Sequence, residues 1–357
     1  MSTRTDDPHD LALADSRPRP ALRLPATRVE RPAVRAIDAH NHLGRWITDW
    51  VRPGGGWMTE DVGALLGMMD ALDVEAIVNL DGRWGAELEA NLDRYDRAHP
   101  GRFLTFCHVD WGELARPGRL VASLEASRAA GARGLKVWKD LGLSVRDGDG
   151  SLVLPDDPRL DPVWAAAGEL GLPVLIHTAD PVAFFEPLDA ANERLEELAA
   201  HPEWALHGTG APAFDRLMEA LEAVVAAHPG TTFVGAHVCC FAEDLAWVGR
   251  MLATYPNLCL DFSARIAELG RQPRAARRLF TEHPDRILFG TDELPPQRAA
   301  YETYFRFLET GDEHFPYSPD PERPWPQGRW HISGLDLPAG VLEAIYRGNA
   351  LRVLGRL

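Results

Sequence analysis

The sequence predicts an α/β chain folded as a (β/α)8 TIM barrel, with long loops after strands 5 and 8 and an N-terminal arm. Three observations predict it. Short apolar runs recur along the chain, amphipathic stretches of helical period separate them, and polar residues gather where the runs end. The runs lie at 36–43, 75–80, 103–109, 134–138, 173–177, 232–237, 258–262 and 287–290. Helix-like segments occupy 64–72, 86–98, 118–130, 161–170, 213–227, 242–254 and 275–282, and 338–354 reads as a closing amphipathic helix. Parallel strands need long crossovers, and the intervening helices supply them. Eight such units in 357 residues fit a barrel better than a doubly wound sheet. No Gly-x-Gly-x-x-Gly follows an early run, which weakens a dinucleotide-binding reading. No internal repeat is apparent.

Residues 36–357 read as one barrel domain and residues 1–35, rich in Arg, Pro and Asp, as a mobile or surface-wrapping arm without the apolar core of a secretory signal. Two stretches exceed ordinary connections. Residues 181–212 contain Phe184, Phe185, Trp204 and Pro212, and residues 294–334 hold several prolines and aromatics. Both would rise from the catalytic face of a barrel, as lids, pocket walls or subunit contacts.

Composition narrows the function. The formal net charge is −16, from 53 acidic and 37 basic residues, a balance that disfavours nucleic acid and anionic membranes as partners. No apolar run reaches the ~20 residues of a transmembrane helix. Cys107, Cys239, Cys240 and Cys259 sit in or beside apolar runs without zinc-ribbon spacing, as expected for buried reduced thiols in the cytoplasm. A small-molecule substrate and a homo-oligomer fit this composition.

The chemistry starts at Ala36-Ile-Asp-Ala-His-Asn-His-Leu-Gly44. Two histidines one residue apart on a strand share a face, so one edge offers two imidazoles to one ion. Later runs end in further polar groups: Lys136 and Lys139 after the fourth, His177 after the fifth, His237 after the sixth and Asp292 after the eighth. Each needs a partner if buried, and a barrel brings these ends together. Several His and one Asp suit zinc, iron, cobalt or manganese with a position left open for water.

On these motifs the chain resembles the amidohydrolase superfamily of metal-dependent barrel enzymes. The similarity is to its amidohydrolase-2 branch, which includes decarboxylases related to aminocarboxymuconate-semialdehyde decarboxylase. Asp38-Ala-His-Asn-His42, Pro173-Val-Leu-Ile-His177, Gly235-Ala-His237, Phe289-Gly-Thr-Asp292 and Gly348-Asn-Ala350 carry it, across residues 36–354. The resemblance implies a divalent metal, zinc first and iron or manganese otherwise, as one ion or two. It implies that His40, His42 and His177 are ligands, and that Asp292 is a ligand and the acid/base. His237 would be a ligand or a catalytic group that polarises the substrate. Lys136, with Lys139 in reserve, would bridge two metals if carboxylated; the other reading is an ordinary lysine bound to a substrate acid or a neighbouring carboxylate. The implied reaction is hydrolysis of an amide, ester or lactone by metal-activated water, or decarboxylation of a small carboxylic acid. Two other readings stay open: a non-heme diiron oxygenase on the same barrel, and a non-catalytic binding protein on the same scaffold.

The remaining polar and aromatic residues divide between pocket and packing. Arg265, just past the seventh run, is a candidate anion contact, and Lys139, His108 and Trp46 are candidate substrate contacts. Trp46, Trp50 and Trp57 would wall an apolar pocket or pack on the rim. Glu186, Asn192, Glu193 and Arg194 read as a polar clasp in the long loop first and as substrate contacts second, and Glu293 as a residue behind the ligands or a salt-bridge partner. His207 would line a lid. Of the 13 histidines, His99, His201, His228 and His283 precede prolines and are expected to cap helices or face solvent.

Overall fold

The computed structural model describes residues 12, 16, 18, 20–48 and 54–355. Its strands are β1 (Ala36–Asn41), β2 (Val74–Asn79), β3 (Phe103–Thr105), β4 (Leu135–Val137), β5 (Val174–Ile176), β6 (Phe233–Gly235), β7 (Leu258–Asp261) and β8 (Ile287–Leu288). All pairings are parallel, in the ladders β1-β2-β3 and β4-β5-β6-β7-β8. Two seams close the ring. Cys107 bridges Leu135, with Lys136 N donating to Cys107 O at 2.7 Å. On the other side Ala39 N donates to Phe289 O and Asp292 N to His40 O, both at 2.8 Å.

Seven crossover helices form the outer layer: α1 (Val62–Ala71), α2 (Gly85–Leu92), α3 (Pro117–Ala130), α4 (Asp161–Glu169), α5 (Phe214–Ala227), α6 (Leu245–Thr254) and α7 (Pro273–Glu282). Local chemistry sets where several begin. Asp61 caps α1 by accepting from Ala64 N, and Asp244 caps α6 by accepting from Ala246 N and Trp247 N. Proline occupies the first turn of α3 and α7, where its missing N–H costs nothing. α5 buries Leu217, Leu221, Val224 and Val225, one stripe at helical spacing.

The stretch after β8 differs from the sequence reading. It is not only loop: α8 (Arg298–Glu309) lies inside it, burying Ala300, Tyr301, Tyr304, Phe305 and Leu308. The closing segment is Ala339–Glu343 and Asn349–Leu354, joined by a wider turn over Ala344–Gly348. Asn349 fastens it, its Nδ2 donating to Pro284 O and Ile287 O, both at 2.7 Å.

Two apolar layers result. Ile37, Ala39, Ala76, Val78, Leu104, Leu175, Val234, Cys259 and Leu288 fill one cluster, while Ala36, Val74, Ile77, Val174, Phe233 and Leu258 pack in the other with the helices. Asp38 lies between Ile37 and Ala39 and points the other way, toward α8. It accepts from Tyr301 Oη at 2.7 Å, Thr291 Oγ1 at 2.6 Å and Thr291 N at 3.1 Å, tying β1 to the segment after β8.

Before β1, Thr27 donates from N and Oγ1 to Asp312 at 2.7 and 2.9 Å, and Ala33 N donates to Glu309 at 2.9 Å. No helix among the described residues is long and apolar enough to cross a membrane.

Candidate metal centre

His40 and His42 reach the C-terminal mouth of the barrel by an irregular route. Strict alternation gives His40 the parity of outward-facing Asp38. The ladder to β2 slips between Asp38 and Asn41, and that irregularity turns His40 inward. His40 Nε2 then stands 3.8 Å and His42 Nε2 3.7 Å from Asp292 Oδ1, and His237 Nε2 stands 3.9 Å from Asp292 Oδ2. Ligand atoms of His40, His237 and Asp292 all lie within 4.8 Å of one another.

His237 is presented by strained backbone. His237, Val238, Cys239 and Cys240 have φ of 56°, 61°, 55° and 62°, one left-handed turn directly after β6. Left-handed turns cost L-residues roughly 1–2 kcal/mol each. Burial of all four side chains and bonds such as Thr178 N to Cys240 Sγ at 3.3 Å hold the turn. Asp292 also has a positive φ, 54°.

The hydrogen bonds fix which imidazole nitrogen carries the proton. His237 Nδ1 lies 2.9 Å from Ser263 O, an acceptor only, so Nδ1 donates and Nε2 keeps its lone pair. His40 Nδ1 donates to Asp261 at 2.9 Å and His42 Nδ1 to Asp81 at 2.5 Å. Three lone pairs thus face Asp292, whose buried Oδ1 has no hydrogen-bond partner among the described residues. Burial holds His40 and His237 well below the usual histidine range and raises the Asp292 carboxyl. Lone pairs and a carboxylate converging in a desolvated site suit a divalent cation, and the donor set fits one.

His177 lines the same cleft, its ring 4.5 Å from that of His237. Its Nε2 donates to Ala179 O at 3.2 Å, so Nδ1 holds its lone pair, and it stands outside the tight triad. Lys136 is buried with Nζ 3.4 Å from His40 Nε2, and burial pulls its amine down to about 8. Lys139 lies in the cleft wall with Nζ 2.6 and 2.7 Å from the oxygens of Asp180.

The cleft above these groups has a volume of about 320 Å³, with Trp138, Phe184 and Trp204 as aromatic walls. Arg265 also lines it and forms no ion pair among the described residues. His108 does not line the cleft: its Nε2 donates to Leu80 O at 2.7 Å and its ring packs on Trp46. Trp46 in turn abuts Trp138, with ring centroids 5.0 Å apart. It supports the wall from behind. Trp57 packs on Tyr95, and Trp50 lies outside the described residues.

The clasp is real. Arg194, 1% exposed, pairs with Glu197 at 2.6 Å and with Glu268, while Glu193 pairs with Arg271 at 2.9 Å. Glu186 lines a separate surface pocket. Glu293 forms no ion pair among the described residues, which leaves the other expectation, a place behind the ligands; burial pushes its carboxyl up to about 7. His207 is exposed, with Nδ1 3.2 Å from Phe185 O. His201, His228 and His283 cap helix C-termini. The four cysteines are buried and unpaired.

Asp81 and Asp261, which orient His42 and His40, were missed from sequence. Their signal is the one that found the histidines: Asp81 directly follows an apolar run, in Ile77-Val-Asn-Leu-Asp81, and Asp261 lies at the end of another, in Leu258-Cys-Leu-Asp261.

Comparison with known proteins returns the same architecture. No curated protein matches the chain. Among solved structures, 2,6-dihydroxybenzoate decarboxylase from Rhizobium aligns with TM-score 0.58 at 18% identity, covering 90% of this chain and 98% of that one. An amidohydrolase from Burkholderia multivorans with bound zinc aligns with TM-score 0.52 at 18% identity, covering 91% and 100%. The 5-carboxyvanillate decarboxylase of Sphingomonas paucimobilis aligns with TM-score 0.53 at 14% identity, covering 91% and 100%. These likenesses show the fold, a TIM barrel. The amidohydrolase family model matches residues 37–356. The chain therefore belongs to the amidohydrolase family.

Proposed function

We propose that the enzyme acts on a small carboxylic acid, with decarboxylation as the favoured reaction and hydrolysis of an amide, ester or lactone as the second. The observation that carries the metal-dependent part is the half-buried Asp292 carboxylate, whose buried Oδ1 has no hydrogen-bond partner among the described residues and which has three imidazole Nε2 atoms 3.7 to 3.9 Å away. The preference for an acid rests on Arg265, a cation in the cleft wall that forms no ion pair among the described residues. The decarboxylases among the structural neighbours agree with it; the family description favours hydrolysis.

His40, His42, His237 and Asp292 would hold the ion, with His177 beside them; one ion is favoured over two, and zinc over iron or manganese. When bound, a divalent cation supplies Lewis acidity toward a substrate oxygen or a water. Arg265 would pair with the substrate carboxylate, and Trp138, Phe184 and Trp204 would flank a planar body in a space suited to a single ring. Asp292, its carboxyl raised by burial, would take up or deliver the proton at the reacting atom. His237, with a lone pair on Nε2, suits a ligand or proton acceptor; it has no proton there with which to polarise a carbonyl.

Metal analysis of protein purified without chelator, paired with assays of carbon dioxide release from hydroxylated benzoates and of ester, amide and lactone hydrolysis, tests this reading. One equivalent of zinc or manganese with oxygen-independent turnover is expected. Turnover without metal overturns it, and iron with oxygen-dependent turnover establishes the diiron oxygenase instead. The buried thiols and the charge of −16 support a cytoplasmic protein without nucleic-acid partners. A homo-oligomer is proposed, and sedimentation would measure it.

A further inference from the structure

We infer that Asp261 is a positioning residue that fixes the proton of His40 and braces His237 through its backbone N–H and through Ser263, coupling the cation-holding edge of β1 to the strained turn after β6. The inference rests on the metal-centre reading above. Asp261 is the last residue of β7, fully buried, and does not line the cleft.

Its two oxygens divide the work. Oδ2 accepts from His40 Nδ1 at 2.9 Å. Oδ1 accepts from Ser263 Oγ at 2.6 Å, Ser263 N at 3.0 Å and His237 N at 3.3 Å. Ser263 has one hydroxyl proton, and the bond to Asp261 uses it. Toward His237 Nδ1, 3.0 Å away, the Ser263 oxygen can therefore only accept. Ser263 O, at 2.9 Å, reinforces this. One carboxylate thus keeps the His40 proton on Nδ1 directly and, by orienting the Ser263 hydroxyl, gives the His237 Nδ1–H a second acceptor beside the Ser263 carbonyl, so that both Nε2 lone pairs stay turned toward Asp292. The two rings lie 4.7 Å apart, so they form one packed unit on this node. A tautomer flip in either ring would point an N–H at the ion's place. Partners of this kind orient ligands, and their loss typically lowers metal affinity about 10–100-fold.

The test uses the full-length chain and the variants Asp261→Asn and Ser263→Ala. Zinc affinity is read by competition with a chromophoric chelator. Imidazole tautomers are read from ¹⁵N shifts of histidine-labelled protein, a signature that a merely structural tie would not move. Asp261→Asn is expected to weaken zinc binding about 10–100-fold and to mix the His40 tautomers. Ser263→Ala is expected to disturb His237 alone, with a smaller loss. The double variant should lose less than the sum of the single free-energy changes, because both act through one carboxylate. A folded Asp261→Asn protein with unchanged tautomers and zinc affinity overturns the inference, however far its Tm falls. If that variant does not fold, an unaltered zinc affinity and unaltered His237 ¹⁵N shifts in Ser263→Ala overturn it. Failure of the wild type to bind zinc counts against the proposed function, and the tautomer readout still judges Asp261 separately.

Discussion

Asp292 holds a positive φ and a buried oxygen without a partner, two local costs that a packed protein keeps only where a side chain has a task. Asp292→Asn keeps the shape and removes the charge and the proton site. It should fold, bind metal more weakly and lose about 10²–10⁴ in kcat, checked by steady-state kinetics beside metal content. His40→Ala and His42→Ala should abolish both metal content and turnover; activity in metal-free protein of either variant would refute the centre. Arg265→Met should raise KM for a carboxylate substrate about 10–100-fold, the worth of a charge-assisted hydrogen bond, with a smaller change in kcat. These residues were legible in sequence because a polar group closing a buried strand needs a partner. Asp81 and Asp261 obey the same rule but were passed over, since an aspartate after a strand also reads as turn punctuation. The left-handed turn at His237–Cys240 had no signal at all: Val238 and the cysteines are residues that disfavour positive φ.

At the scale of elements, the strand order and most helices followed from periodicity alone, and the exceptions have physical causes. α8 was hidden because prolines at 295, 296, 316 and 319 flank it, although its buried residues keep helical spacing. The register slip in β1 was invisible because regular alternation already put both histidines on one side. The seam that slip serves is anchored by Asp38, whose carboxyl burial pushes up to about 6 despite its donors. The folded value lies above the unfolded one, so the contribution is fully present below about pH 4 and is lost as pH rises through about 6. Urea unfolding of wild type and Asp38→Asn at pH 4.5 and 7.5 would measure it. The wild type should lose about 2 kcal/mol relative to the variant across that interval. The variant itself, with amide donors set against Tyr301 and Thr291, should be less stable at both pH values.

At the scale of the whole molecule, the centre draws on both ladders of the ring: His40 and His42 belong to the three-stranded one, His177, His237 and Asp292 to the five-stranded one. A ligand that binds only the folded chain stabilises it, by about 4 kcal/mol when its free concentration is a thousand times Kd. Stripping the metal with chelator should therefore lower Tm by several degrees, and zinc should restore it, as scanning calorimetry would show. The seam between β8 and β1 also gives the ion a place in time. Residues 40 and 292 meet only after more than two thirds of the chain has been laid down between them, so the donor set is complete only once the ring has closed. Capture then follows the rate-limiting barrier, and the ion should leave the refolding limb of a chevron unchanged while slowing the unfolding limb. The metal would act as a latch, setting how long the closed barrel lasts and having no part in how fast it forms.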